Sequence, residues 1–226
     1  AALVLILQDA SIMAITSDLD IVNAACALLS VDPLQALTDE LPGGQAAQTL
    51  YEPIIDLCLG LAPWSFARRT QQLGRLAGVT SPLGFAHVHQ LPANRVGPPE
   101  RLLADPSRPG SAVWAFDYDE EGRVHSDAEI LYAQYTARVL PAMWHPVFRA
   151  AAIHAVAAGF CELLTGNSTM AAEMQAKAFG TPSEAYRGGM MRAALSADAR
   201  ATPARNLPAH SNPLLAAWGT DATGWR

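Results

Sequence analysis

Apolar residues recur at helical spacing at both ends of the chain and alternate with polar ones in the middle. Ile21, Val22, Ala25, Cys26 and Leu29 make one stripe, which predicts a helix over 18–29. Ser17 or Asp18 supplies its cap, and Asp32-Pro33 stops it. A second helix is predicted over 45–61 from the stripe Ala47, Leu50, Ile54, Leu57, Cys58 and Leu61. Pro53 lies inside that stripe and is expected to kink or split it, because proline has no amide hydrogen to donate. Trp64 and Phe66 follow and are expected to be core anchors, with Arg68-Arg69 as a helix-ending cap beside them.

From Thr80 the period changes to two. Phe85–Leu91 alternates and reads as a strand. Pro92, Pro98, Pro99, Pro106 and Pro109 exclude a long helix after it. Ala112–Tyr118 and Arg123-Val124-His125 read as two arms of a hairpin closed by Asp119–Gly122. That loop pairs Tyr118 with Arg123 and Phe116 with His125. Ile130–Ala137 is a further strand.

Helical spacing returns after Pro141. The segment Pro146–Leu164 carries only Arg149 and Glu162 as charges and is about 28 Å long as a helix. Being apolar nearly all round, it is expected at the centre of a bundle. Asn167 caps a helix over 168–179; Gly180-Thr181-Pro182 interrupts it, and Ser183–Leu195 continues as a weaker helix. The implied architecture is α+β: a helical bundle with an inserted small antiparallel β layer and an extended C-terminal arm. Its divisions are an N-terminal extension at 1–12, a helical part at 13–79, the β layer at 80–140, a helical part completing the bundle at 141–196, and the arm at 197–226.

The two ends carry their own expectations. Pro203, Pro208 and Pro213 forbid a continuous helix in the arm. Leu214, Leu215, Trp218 and Trp225 are too apolar for a tail left in water, so they are expected to be interface anchors on a neighbouring subunit or partner. At the other end, Ala1–Leu7 falls short of the ~20 residues a membrane span needs and lacks a basic flank. Residues 1–12 are expected to be an upstream extension that adds little stability. No later stretch is expected to span a membrane unbroken.

Composition narrows the function. Of 226 residues, 50% are hydrophobic and 16% charged, which supports a packed core and excludes global disorder. Fifteen basic against 21 acidic side chains leave a net charge of −6. That balance excludes a nucleic-acid binder working by bulk phosphate attraction, but not a surface past which DNA slides. The three cysteines, Cys26, Cys58 and Cys161, lie far apart in apolar contexts. They are expected to be core hydrophobes, not a disulfide framework or zinc knuckle.

Candidate chemistry is sparse. The sequence has no GxSxG, P-loop or HExxH motif and no glycine-rich turn leading from strand to helix. The best metal candidate is His87-x-His89, since i and i+2 on a strand share a face. A third ligand would have to come from His125, Asp117 or Asp119. The expected register puts His125 and Asp117 on opposite faces, so polar residues on a wetter strand face are the favoured reading. His145 and His154 are about 180° apart on their helix and do not converge. The run Asp119-Glu120-Glu121 reads as a solvated hairpin tip, and Met170, Met174, Met190 and Met191 as core filler. No catalytic residue, metal or cofactor is assigned.

The order of landmarks says more than any one of them. Met13-Ala14-Ile15-Thr16-Ser17 leads into a helix ending Leu28-Leu29; a Leu50-Tyr51-x-Pro53 helix follows, then Pro63-Trp64-Ser65-Phe66-Ala67-Arg68-Arg69. Next come Gly84-Phe85-Ala86-His87-Val88-His89-Gln90-Leu91-Pro92-Ala93-Asn94, a hairpin, and a strand ending Tyr135-Thr136-Ala137-Arg138-Val139. Last is a His145-Pro146-opened, alanine-rich helix closing at Leu164-Thr165-Gly166-Asn167-Ser168. Over roughly 13–195 this resembles the tail tubular protein A family of short-tailed bacteriophages, the head-to-tail adaptor or gatekeeper. The break at Gly180–Pro182 and the arm after Ser196 depart from that pattern.

The resemblance implies a structural protein that is not an enzyme and carries no cofactor. It implies a homo-oligomeric, dodecameric ring between the portal protein and the tail nozzle protein, with helices in the wall and the β layer toward the nozzle. DNA passes through the channel without sequence-specific binding, and no membrane is involved. The implied location is the virion, after assembly in the host cytoplasm. The alternatives are a small metal-dependent enzyme using His87, His89 or His125, and a monomeric binding module using the β layer.

Overall fold

The computed structural model describes residues 15–108, 111–119 and 121–201. The fold is α+β, with one core in the helices and another in the sheets. Helix α1 spans Asp18–Leu28. Ser17 Oγ accepts from the Asp20 amide while the Asp20 carboxylate accepts from the Ser17 amide, a reciprocal pair that fixes the start. Its predicted stripe is buried throughout. Asn23 then holds the chain beyond the helix, donating to the Leu34 carbonyl at 3.0 Å and accepting from the Leu34 amide at 2.8 Å.

The second predicted helix starts earlier, at Pro42, whose missing amide hydrogen costs nothing in a first turn. It runs as α2 (Pro42–Ala46), a π-helical turn (Ala47–Tyr51) and α3 (Glu52–Gly60). The wide turn lies immediately before Pro53 and removes the clash that proline would make in a regular helix. It also rotates the face. Tyr51, Ile55, Cys58 and Leu59 are buried, whereas Leu57 and Leu61 of the expected stripe are 57% and 47% exposed.

Gly44 sits where this helix meets the loop before it. A β-carbon there would fall on the backbone carbonyl of Asp39, which cannot swing away as a side chain can. Gly44→Ala is expected to cost about 1–3 kcal/mol, read from urea unfolding. An unchanged midpoint would mean that the loop yields freely.

Strands begin earlier than residue 80. Arg68 and Arg69 open strand β1 (Arg68–Gln72); the expected helix cap is corrected to this. Arg68 still closes on the preceding turn, donating to the Pro63 carbonyl at 3.0 Å. Strand β2 (Gly74–Arg75) follows after the buried Leu73, then β3 (His87–Gln90) and β4 (Arg101–Leu103). β5 (Phe116–Tyr118), β6 (Arg123–Ser126) and β7 (Tyr132–Thr136) complete two antiparallel sheets. Their orders are β1-β7-β4 and β2-β3-β6-β5, so the chain changes sheet at Leu73.

The hairpin register differs by one residue from the expected one. Asp117 pairs with His125, and Phe116 with Ser126. Asp119 Oδ1 accepts from the amides of Glu121 and Arg123, and Gly122 takes φ +71°. A left-handed glycine closing the turn leaves Asp119 opposite Arg123, and the arms follow from there.

Helix α4 (Pro146–Thr165) runs through the middle of the bundle. It is long and apolar enough to cross a membrane by length and composition, contrary to the sequence expectation. Here that apolar surface packs against the other helices, with Phe148, Val156, Phe160 and Cys161 fully buried. Gly166 ends it at φ +64°. Asn167 caps α5 (Ser168–Phe179), accepting from the Met170 amide at 3.0 Å.

The last helix, α6, spans Gly189–Ala201. Its start is later than Ser183 because Ala185 and Tyr186 take left-handed backbone angles and Gly188 and Gly189 pack against the end of α5. Its end lies beyond 196, so residues 197–201 are helical and not part of an extended arm. Asp198 accounts for the extension: its carboxylate accepts from the Ser65 amide and hydroxyl at 3.1 and 2.5 Å.

Candidate functional site

The polar candidates separate into two groups on opposite faces of β3. Val88 pairs with His125, and His89 with Val124, so His125 shares a face with Val88 and not with His87 or His89. The rings of His87 and His89 are 6.4 Å apart and nearly perpendicular. His89 is fully buried; its Nε2–H donates to the Ala128 carbonyl at 3.0 Å, and its Nδ1 has no hydrogen-bond partner. Among the described residues no three His, Cys, Asp or Glu side chains come together as a metal site.

On the other face Asp119 of the expected solvated tip turns inward, while Glu121 stays exposed. Asp119 Oδ2 accepts from Arg123 Nε at 2.5 Å and from His125 Nε2 at 3.1 Å. His125 Nδ1 meets Ser81 Oγ at 2.9 Å, and that oxygen accepts from the Leu83 amide. Ser81, His125 and Asp119 thus form a chain of hydrogen bonds with the residue types of a hydrolytic triad. The chemistry differs from one. Arg123 neutralises the carboxylate, the serine oxygen is occupied by a backbone amide, and the His125 side chain is 1% exposed. The cluster ties the hairpin to the loop before β3.

Burial and bonding move these groups in ways that make stability depend on pH. Burial holds the imidazole of His89 below the ordinary 6.5, with His87 and Arg75 adding to the effect. Burial and Lys177 do the same to His154. Burial alone would raise Asp119, but its bonds to Arg123 and His125 outweigh it and hold the carboxyl well below the usual range. All three pKa values are depressed in the fold, so the unfolded chain binds more protons on acidification. The histidine contributions are complete above about pH 6.5 and are lost as pH falls through that value. The Asp119 contribution is lost only below about pH 4. The melting temperature is therefore expected to be level from pH 8 to 7, to decline toward pH 5, and to drop again below pH 4. His89→Gln should flatten the first decline; a decline of full size in both His89→Gln and His154→Gln would assign it elsewhere.

The cysteines are inert by position. Cys26, Cys58 and Cys161 are buried and free, and burial pushes the Cys58 thiol up to about 12. Met174 and Met191 belong to the core, whereas Met190 is 36% exposed.

Apolar surface is the more informative feature. Trp114, which the sequence patterns did not single out, is 88% exposed between Val113 and the start of β5. Beside it a groove of about 450 Å³ is lined by Arg101, Leu102, Leu103, Val113 and Phe116, among others. β4 is the outer strand of its sheet, and the segment after it covers that strand only in part. Val113 donates to the Leu102 carbonyl and Ala104 to the Ser111 carbonyl, each at 2.9 Å, and the chain then leaves the edge at Trp114. On the helices, Leu57 of α3, Leu61 at its C-terminal cap and Leu163 of α4 are also exposed. The predicted anchors Leu214, Leu215, Trp218 and Trp225 lie outside the described residues.

Neither a family model nor a curated protein matches the sequence.

Proposed function

We propose that the chain is a structural head-to-tail adaptor that forms a ring between a portal and a tail nozzle, through which phage DNA passes. The observation that carries this reading is the pair of apolar surfaces, Leu57 with Leu61 at the end of α3 and Trp114 with its groove on the β layer, above cores that are already closed. Large exposed apolar patches mark contact sites. Two different patches on one chain suit a head-to-tail contact, which closes into a ring when the rotation permits.

The landmark order supports the same reading. Trp64-x-Phe66-Ala67 lies at the joint between bundle and sheet: Trp64 packs on Phe148 of α4, and the Ala67 carbonyl accepts from Ala137 just beyond β7. The net charge of −6 suits a wall that DNA must pass without being gripped. An enzyme using His87, His89 and His125 together has little support, because the first two face away from the third.

Light scattering and negative-stain electron microscopy of the full chain at high concentration test the proposal. Rings with a central channel are the expected result. A chain that stays monomeric, and that no isolated portal ring recruits, would overturn it.

A further inference from the structure

We infer that the groove beside Trp114 receives residues 213–218 of a neighbouring copy, so that each subunit clasps the next. This rests on the ring-forming reading above and specifies its contact. Three observations lead to it.

The first is the shape of the receiving site. The groove lies where the chain leaves the edge of β4 at Trp114, and its lining is mainly apolar, with Glu100 and Arg101 among the residues that form it. Such a groove takes an extended segment whose alternate side chains enter it. Its volume, about 450 Å³, lies in the range of pockets that enclose compact ligands.

The second is the chemistry of the segment offered. Asn212 precedes Pro213, and a residue before proline is biased to extended backbone. Leu214, Leu215 and Trp218 follow within five residues, and none of 213–218 is charged. In extended form Leu214, Ala216 and Trp218 fall on one face, so this uncharged segment offers one aliphatic and one aromatic anchor to an apolar groove with a free tryptophan at its lip.

The third is the placement of donor and receiver. Asp198 fastens α6 to Ser65, three residues before β1. The groove lies at β4, the opposite edge of the same three-stranded sheet. Each subunit thus has the base of its arm at one edge of this sheet and its groove at the other, an arrangement that a head-to-tail repeat can use. Eleven residues lie between Ala201 and Pro213, and in extended form they let the arm reach about 40 Å from α6.

Disulfide trapping in the full chain tests this. The native cysteines are buried, so introduced surface cysteines react selectively. Arg101→Cys and Ala217→Cys, made in separate proteins and mixed under mild oxidation, are expected to give a linked heterodimer. Trp114→Ala in the first protein or Trp218→Ala in the second should reduce its yield at least tenfold. Trp114 is exposed, so its replacement does not threaten the fold. A double variant that links only within itself would place the arm on its own subunit and overturn the inference. So would a heterodimer indifferent to both tryptophans. If rings form by microscopy and no link is trapped, the groove fails and the ring reading stands. If neither rings nor links form, both fail.

Discussion

Trp64→Ala is expected to destabilise the protein by about 3–5 kcal/mol, measured by urea unfolding. The indole has no exposure, and its ring lies 4.7 Å from that of Phe148 and 5.8 Å from that of Phe66. Phe66 and Trp144 also touch Phe148, at 5.0 and 5.2 Å, so four aromatic rings meet there. Removing Trp64 leaves a cavity that rigid neighbours cannot fill. It also strands a polar group, because Trp64 Nε1–H donates to the Cys58 carbonyl at the end of α3. That carbonyl belongs to the last turn of a helix and has no later amide to take it. Trp64→Phe should cost less, since it keeps most of the volume and loses only the hydrogen bond and the second ring. Trp114→Ala provides the contrast: the same change at an 88% exposed position should stay within about 0.5 kcal/mol. A Trp64→Ala protein that unfolds like the parent would place the joint between bundle and sheet elsewhere.

The helical bundle was legible where burial follows an undisturbed period. The α1 stripe, the central position of α4 and the Asn167 cap all follow from residue spacing and side-chain chemistry. Each departure has a local physical cause. Leu50, Ile54, Leu57 and Leu61 fit a regular helix well, and nothing in that pattern announces a π turn. The wider turn puts Tyr51 and Ile55 inward and leaves Leu57 and Leu61 outside. β1 reads Arg-Arg-Thr-Gln-Gln and is exposed along most of its length, so it has no apolar alternation to detect. It is an edge strand, held by backbone pairing to β7 and by the ion pair of Arg68 with Glu100 at 3.3 Å.

The polar cluster was legible in its members but not in its geometry. His125 and Asp119 both stood among the metal candidates, and they do meet. A one-residue error in register placed His125 opposite Phe116 and left Asp119 in solvent. The turn decides that register, through a left-handed Gly122 and the two amides that Asp119 accepts. The sequence does contain that signal: an Asp three residues before a Gly is what a turn closed by a left-handed residue requires. The groove was not legible, because it depends on where the chain leaves β4, and no spacing rule reaches from Leu102 to Val113.

Chain length at the C-terminus should separate folding from assembly, and the cut point matters more than the sequence alone suggests. A chain ending after Ala201 keeps every described helix and strand, including the bonds from Asp198 to Ser65. It is expected to melt with the full chain and, on the ring-forming proposal, to stay monomeric at concentrations where the full chain is expected to assemble. A chain ending after Leu195 loses Asp198 as well as the last turns of α6. The Ser65 amide and hydroxyl are then left without their acceptor at the joint beside Trp64, at a cost of roughly 1–3 kcal/mol. That protein should melt earlier, and Asp198→Ala in the full chain should reproduce much of the loss while leaving the arm in place. Thermal unfolding and light scattering on the four proteins read both effects. If the chain ending after Ala201 still assembles, the anchors Leu214, Leu215, Trp218 and Trp225 are not what holds neighbouring subunits. If it unfolds, they belong to the subunit's own core.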